Sequence, residues 1–536
     1  MHIKIVFLAV LALSAGAVTL QEINQKPPSR AKNFMIWQFM KQKITPDEAK
    51  EAFYQIKDVT INDLYTYAYK GRDNSVKYVT KCMSTKGKNL LILKDMNCLN
   101  LALTPYKYQK LEPSDRKKLL KRVKDRKKLS WMRAMKSKKV SNTLSAKTLL
   151  EIFSRAGKEY RHNNFNRPYT KKELYNLSKE SRFDRFVAFG VLDPELNKIS
   201  KSLLHVSLKD IKKPKTNFYL AMNALKHNRD DIALKHLDIA YMKFYYQFDK
   251  DKALFWIYQI KKDKKILQKL SDSFDINIYT LYAREKLSKP LGNYYASIDT
   301  KDEVHSKDIK DPFVWLKILD EVKAAPQERL EKLFEHYNYK NMQSVSSFIY
   351  ERSTKYREQG FLTPYDEYLD DLSVDTKALI YAIMRQESRF IPSALSRAYA
   401  LGLMQIMPFL AKSMQKKMPK KLNSLNDMFE PKINLQYAKK HIKWLQKSFY
   451  HPLLLAYSYN GGYGFARKIA RSDAFKKNRY EPYLSMEMMI NSESREYGKK
   501  VLANYIVYKK ILGEEVSTLH LFDMLTQPSR THRFAK

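Results

Sequence analysis

The chain has 536 residues and carries 99 Lys and Arg against 56 Asp and Glu, a formal charge of +43. It is 44% hydrophobic and 29% charged, enough to bury a sizeable core, which excludes compositional disorder. Two cysteines exclude a disulfide-dense scaffold or a cysteine-built metal cluster. Only 13 glycines, against a usual share of about 7%, argue against a turn-rich β architecture and for helices.

The first twenty residues hold Lys4, an apolar run from Ile5 to Leu13 and the small residues Ala15-Gly16-Ala17. That order predicts a secretory leader over 1–17, cleaved after Ala17. An uncleaved anchor is the alternative, but the run is short for a membrane span of about 20 residues. Cleavage would leave no transmembrane anchor, and no Cys follows the small residues to take a lipid. Export also changes what the charge means. A cytosolic chain this basic points to nucleic acid. An exported one meets cell-wall polymers carrying carboxylates, or anionic lipid surfaces.

Cys82 and Cys98 would close a loop of about 15 residues, and a bridge there contributes about 3 kcal/mol on the loop-entropy account. Two buried thiols are the alternative. Basic residues are densest from Arg116 to Lys139, where Asp125 is the only acid. Such a run is either a solvated helix face or a means of electrostatic retention on a polyanion, and charge alone does not choose.

From about Arg30 to Gly360 amphipathic patterns succeed one another. Ile232, Leu234, Leu237 and Ile239-Ala240 fall near one face of one helix, Ala253, Leu254, Trp256 and Ile257 mark a second, and Ile276, Tyr279 and Tyr282 a third. Short polar separators suggest stacked helix hairpins, solenoid-like rather than a named repeat, with a plain bundle as the alternative. The 37 tyrosines suit helix–helix grooves, where a large ring packs and its polar tip reaches the surface.

The texture changes after Gly360, where glycine concentrates. In Asp375–Arg389, Ile380, Ile383 and Met384 form an apolar stripe that Glu387 continues. A carboxylate there would be desolvated and its pKa raised, as a general acid requires. Next comes Ser396 to Pro408, with Gly402, Gln405 and Met407, then Tyr459-Asn460 before three glycines within four residues, and then Asn491 to Tyr497.

These blocks resemble the soluble lytic transglycosylases: Gln386-Glu387-Ser388, then Gly402-Leu403-Met404-Gln405-Ile406-Met407-Pro408, Tyr459-Asn460-Gly461-Gly462 and Glu493-Ser494-Arg495-Glu496-Tyr497. Their order and spacing fit, as does Glu430-Pro431-x-x-Asn434-Leu435 between the second and third. The resemblance is strong over about 361–513 and weak over the helical region. It implies a mainly α protein, with a leader (1–17), an N-terminal α-superhelical domain (18–360), a lysozyme-like catalytic domain (361–513) and a C-terminal tail (514–536). The chain departs from the family at Tyr399-Ala400, where Gly-Ala is usual, at Gly461-Gly462-Tyr463 after Tyr-Asn, and at Ala438. The bulk of Tyr399 and Tyr463 bears on substrate fit more than on chemistry.

By that resemblance Glu387 protonates the bridging oxygen between N-acetylmuramic acid and N-acetylglucosamine. It then acts as base on the 6-hydroxyl of the same sugar, leaving a 1,6-anhydromuramyl end. Ser396, Gln405, Met407, Tyr459, Asn460, Glu493 and Tyr497 would line the cleft or hold Glu387, with Tyr459 and Glu493 its nearest polar neighbours. No cofactor is implied, and the 11 His show no metal-ligand spacing. The partners implied are peptidoglycan strands in the periplasm and proteins of cell-wall synthesis or turnover, not nucleic acid. Binding to intact sacculi should weaken as salt rises. Two other readings share the sequence: a goose-type-lysozyme-like hydrolase with water as nucleophile, and a non-catalytic peptidoglycan-binding scaffold.

Overall fold

The computed structural model describes residues 17–137, 144–419 and 421–534. The predicted leader therefore lies, apart from Ala17, outside the described residues. The fold is mainly α. Among the described residues the only strands are two-residue pieces, Tyr294–Tyr295 and Gln359–Gly360, paired in parallel. Among the described residues no helix is long and apolar enough to cross a membrane.

The chain divides into two compact units, each assembled from three separate stretches. One comprises residues 81–299, 350–386 and 440–536, the other 1–80, 300–349 and 387–439. The division does not fall at the expected boundary of 360/361, because residues 350–386 are tied into the larger unit. Gln359–Gly360 pairs with Tyr294–Tyr295, and the buried Arg385 donates to the Gly360 carbonyl (2.7 Å), to Asn504 Oδ1 (2.9 Å) and to Glu351 (3.2 Å).

In that unit the helices Pro214–Lys226, Asp230–Lys243, Gln247–Lys261, Lys264–Ser271 and Ile278–Lys286 pack each on the next. The periodicity located three of these five helices, but the face of Asp230–Lys243 differs in detail. Ala233, His236, Leu237 and Ala240 are buried, while Ile232, Leu234 and Ile239 flank them half-buried. Alanine at two of the buried positions permits close helix approach, so backbone proximity rather than side-chain size selects the face. Cys82 and Cys98 are joined by a disulfide.

The basic run is partly structural. Arg116 is 5% exposed and its guanidinium donates to the carbonyls of Leu111 (2.8 Å), Gln109 (2.6 Å), Met135 (3.0 Å) and Ser137 (2.7 Å). Lys128 likewise donates to the Asn100 and Leu103 carbonyls. These cations satisfy helix-end carbonyls that have no partner within their own helices. The expected C-terminal tail is also structured. Helix Thr518–Leu525 packs on Ile278–Lys286, with Glu285 accepting from the amides of Thr518 (2.6 Å) and Leu519 (3.3 Å).

Two buried histidines make this unit acid-sensitive. His451 Nε2 meets the Leu521 carbonyl at 2.9 Å, and His236 Nδ1 meets Asn217 Oδ1 at 2.8 Å. Burial pulls both pKa values down to about 4. Since the fold favours the neutral ring, their contribution is complete above the unfolded value of about 6.5 and is lost as pH falls toward 4. Denaturant unfolding should therefore show stability falling between pH 6.5 and 4, by up to about 3 kcal/mol per histidine. Equal stability at pH 7 and 4.5 would contradict this.

The smaller unit has two apolar cores. One surrounds Ile23, Ile36, Phe39, Phe53 and Tyr67, and the Phe53 and Tyr67 rings stack at 4.1 Å. The other joins Ile309, Ile318, Val322 and Met342 to Ile391, just beyond Glu387.

Candidate active site

Helix Val374–Ser388 carries the candidate acid near its C-terminus. Ile380, Ile383 and Met384 are buried, as the stripe predicted, but so are Ala378, Leu379, Tyr381 and Ala382, making this a central helix rather than a one-faced one. Glu387 is half-buried in the last turn. The helix stops abruptly because Arg389 (φ 53°) and Phe390 (φ 65°) both take the left-handed conformation. Neither is glycine, so each costs about 1–2 kcal/mol, and the burial of Phe390 and Ile391 holds them there.

The segment after Glu387 is a tightly closed loop. Leu401 and Ile406 exchange both backbone hydrogen bonds at 3.0 Å, the Gly402 amide donates to the Ala394 carbonyl (2.9 Å), and the Ser396 amide to Ala400 (3.1 Å). The Ser396 hydroxyl accepts from the Ala400 amide at 2.8 Å. Gln405 directs its side-chain amide inward, donating to the Ala394 and Gly402 carbonyls, both at 2.9 Å. Ser396 and Gln405 thus shape the loop, whatever they also offer a ligand. Met407, half-buried, precedes helix Pro408–Gln415. Among the described residues, four of the twelve non-glycine residues with positive φ fall between 389 and 405, a concentration of strain characteristic of functional sites.

Asn434 anchors the loop, although its place in the Glu430–Leu435 segment suggested no role for it. Fully buried, it accepts from the Met404 amide (2.9 Å) and donates to the carbonyls of Leu401 (3.0 Å) and Met428 (2.8 Å). The available signal was an asparagine on an otherwise apolar helix face. Gly402 (φ 72°) lies against it, and a Cβ there would stand 2.3 Å from both Asn434 Nδ2 and the Met428 carbonyl oxygen. Gly402→Ala should therefore cost about 2–3 kcal/mol in chemical denaturation, combining left-handed strain with the clash. A loss below about 0.5 kcal/mol would show that the loop yields freely.

Tyr399, where the family has glycine, also has positive φ (62°). Its ring packs against Phe34 (5.5 Å) and Trp37 (5.4 Å) of helix Arg30–Phe39, and burial raises its pKa to about 12. Arg30 of that helix donates to the Leu395 carbonyl at 2.8 Å. An N-terminal helix therefore braces the loop.

The remaining candidates belong to the larger unit. Helix Pro452–Gly461 ends at Gly462 (φ 85°), with Tyr459 and Asn460 half-buried at its last turn. Asn460 accepts from the Ser494 hydroxyl (2.7 Å) and reaches Glu493 at 3.4 Å, so these motif residues come together. The Asn491 side chain caps helix Ser492–Ile511 through the amides of Glu493 and Ser494. Tyr459 packs beside His441 (5.5 Å between centroids), whose pKa burial lowers to about 4. Tyr463 turns to Trp444 (5.0 Å), Ser448 (3.2 Å) and Arg533 (3.1 Å). Tyr497 is buried, whereas Glu493 is exposed.

Here the buried carboxylate Glu487 stands close to the half-buried Glu496. Lys499 pairs with Glu487 at 2.7 Å and with Glu496 at 3.1 Å, and Tyr279 also bonds to Glu487. Lys499, then Lys252 and Arg495, hold Glu496 well below the usual carboxylate range against the cost of its burial. Among the described residues there is no cluster of three or more His, Cys, Asp or Glu able to hold a metal.

Residues 371–481 match the Transglycosylase SLT domain, so an α-helical chain here carries a domain of that class. Around this segment the chain is similar to lytic murein transglycosylases. It is 34% identical over 143 residues to the membrane-bound lytic murein transglycosylase C of Photorhabdus laumondii, covering 23% of this chain and 40% of that one. It is 29% identical over 136 residues to the soluble lytic murein transglycosylase of Escherichia coli K12, covering 25% and 21%. The matched part thus spans between about a fifth and two fifths of these relatives. Among solved structures, the lytic transglycosylase Slt of Pseudomonas aeruginosa aligns with a TM-score of 0.45 and 15% identity, over 96% of this chain and 90% of that one. The 70-kDa soluble lytic transglycosylase of Escherichia coli aligns at 0.40 and 14%, over 93% and 84%.

Proposed function

We propose that the protein is a peptidoglycan lytic transglycosylase, cleaving the β-1,4 bond between N-acetylmuramic acid and N-acetylglucosamine and leaving 1,6-anhydromuramyl ends. The observation that carries this reading is the SLT-domain match, which includes Glu387, a half-buried carboxylate at the abrupt end of a buried helix. In this reading Glu387 donates a proton to the leaving glycosidic oxygen. The carboxylate so formed then takes the proton of the muramyl 6-hydroxyl as that oxygen closes on the anomeric carbon. One carboxyl group serves both steps, so it starts protonated and ends protonated, and no water is consumed.

By the motif resemblance we assign glycan contacts to Ser396, Gln405, Met407, Tyr459, Asn460, Glu493 and Tyr497. The leader-like first residues and the +43 charge support export and retention on an anionic wall. The test is mass spectrometry of muropeptides released from purified sacculi. Anhydro ends, lighter by one water than reducing ends, are the expected product. Reducing ends would establish the goose-type hydrolytic reading instead, and no release would favour the scaffold.

A further inference from the structure

Trp37 touches the loop through Tyr399 and also lines a cleft of about 660 Å³ within the unit that carries Glu387. The walls of this cleft include Gln38 of helix Arg30–Phe39, Lys41 and Lys43 beyond it, and Lys412 and Gln415 of helix Pro408–Gln415. Among the described residues no Asp or Glu lines it. None of the three lysines forms an ion pair among the described residues, although the protein elsewhere pairs many of its cations. The Lys41 ammonium instead sits over the Trp37 ring, 2.9 Å from its centroid. Desolvation first and the Lys412 charge second bring its pKa down to about 8. Two like charges facing one cavity repel, and an anion placed between them relieves that repulsion. The aromatic plane and the two side-chain amides add what a sugar or peptide body needs: an apolar surface and hydrogen-bonding groups.

We propose that this cleft is a binding site for a carboxylate-bearing arm of peptidoglycan, with Lys41 and Lys412 taking the carboxylate and Trp37 the apolar body of the ligand. The choice of polymer rests on the activity proposed above, while the anion chemistry stands on the cleft alone. Lys412 lies on the helix that begins directly after Met407, so an occupant would sit against the element that closes the catalytic loop. An enzyme that engages the peptide-bearing parts of its polymer here would distinguish them from denuded glycan.

Calorimetry of the full chain at low salt, with N-acetylmuramyl-L-alanyl-D-glutamate and with the same compound amidated at both carboxyls, tests this directly. The acid should bind at least about tenfold more tightly than the amide. Lys41→Gln with Lys412→Gln should bring the acid to the affinity of the amide, and Lys41→Arg with Lys412→Arg should keep the preference. Equal binding of acid and amide, or a preference that survives in the glutamine variant, overturns the proposal. Binding is read here without turnover. A carboxylate preference in a chain that releases nothing from sacculi would retire the activity and leave the site standing, and anhydro products without any preference would do the reverse.

Discussion

Glu387→Gln is expected to lower release of anhydromuropeptides from sacculi by at least about 10³-fold. The amide matches the carboxyl in shape but can neither give up a proton to the leaving oxygen nor accept one from the attacking hydroxyl. In the proposed mechanism the same group serves both half-steps, so the variant would lose both. Glu387 is half-buried at a helix end, so an isosteric change should move stability by less than about 0.5 kcal/mol. Thermal unfolding of the variant separates that outcome from misfolding. Cleavage that persists in the folded variant would remove Glu387 from the mechanism.

The largest effect on stability should come from Lys499→Met. The ammonium has no solvent exposure and neutralises Glu487, itself 1% exposed, at 2.7 Å while also contacting Glu496 at 3.1 Å. Removing it strands a buried carboxylate, and breaking such a pair costs about 3–5 kcal/mol. Chemical denaturation reads this loss, and adding Glu487→Gln to Lys499→Met should recover part of it because the orphaned charge goes too. A loss below about 1 kcal/mol would mean that water or Lys252 takes over. Acid acts on the same cluster. With its folded pKa depressed, Glu496 contributes stability above the ordinary carboxylate value of about 4.3 and loses that contribution as pH falls through the folded value.

The helical class and the places of most helices were legible because scarcity of glycine and i, i+3, i+4 spacing are local properties. The blocks around Glu387, Gly402, Asn460 and Glu493 were legible as motifs for the same reason. Less legible was what each polar side chain does. Gln405 looked like an amide offered to a ligand, yet it donates to the Ala394 and Gly402 carbonyls. Glu493 and Glu496 stand three residues apart in one motif, and only the second meets Lys252, Lys499 and Arg495. Residues 514–534 read as a tail, but their helix start depends on Glu285, more than two hundred residues earlier.

Taken alone, the sequence determined a mainly α protein, the identity and order of the residues around a single candidate acid, and a charge suited to an anionic polymer. All of these depend on residue type and short-range spacing. Tertiary structure alone decided which carboxylates are buried and paired, that Asn434 and the Arg30–Phe39 helix hold the loop after Glu387, and that Lys41 and Lys412 face one cleft with no carboxylate paired to them among the described residues. Burial, pairing and repulsion are properties of neighbours in space, and those neighbours are far apart along the chain.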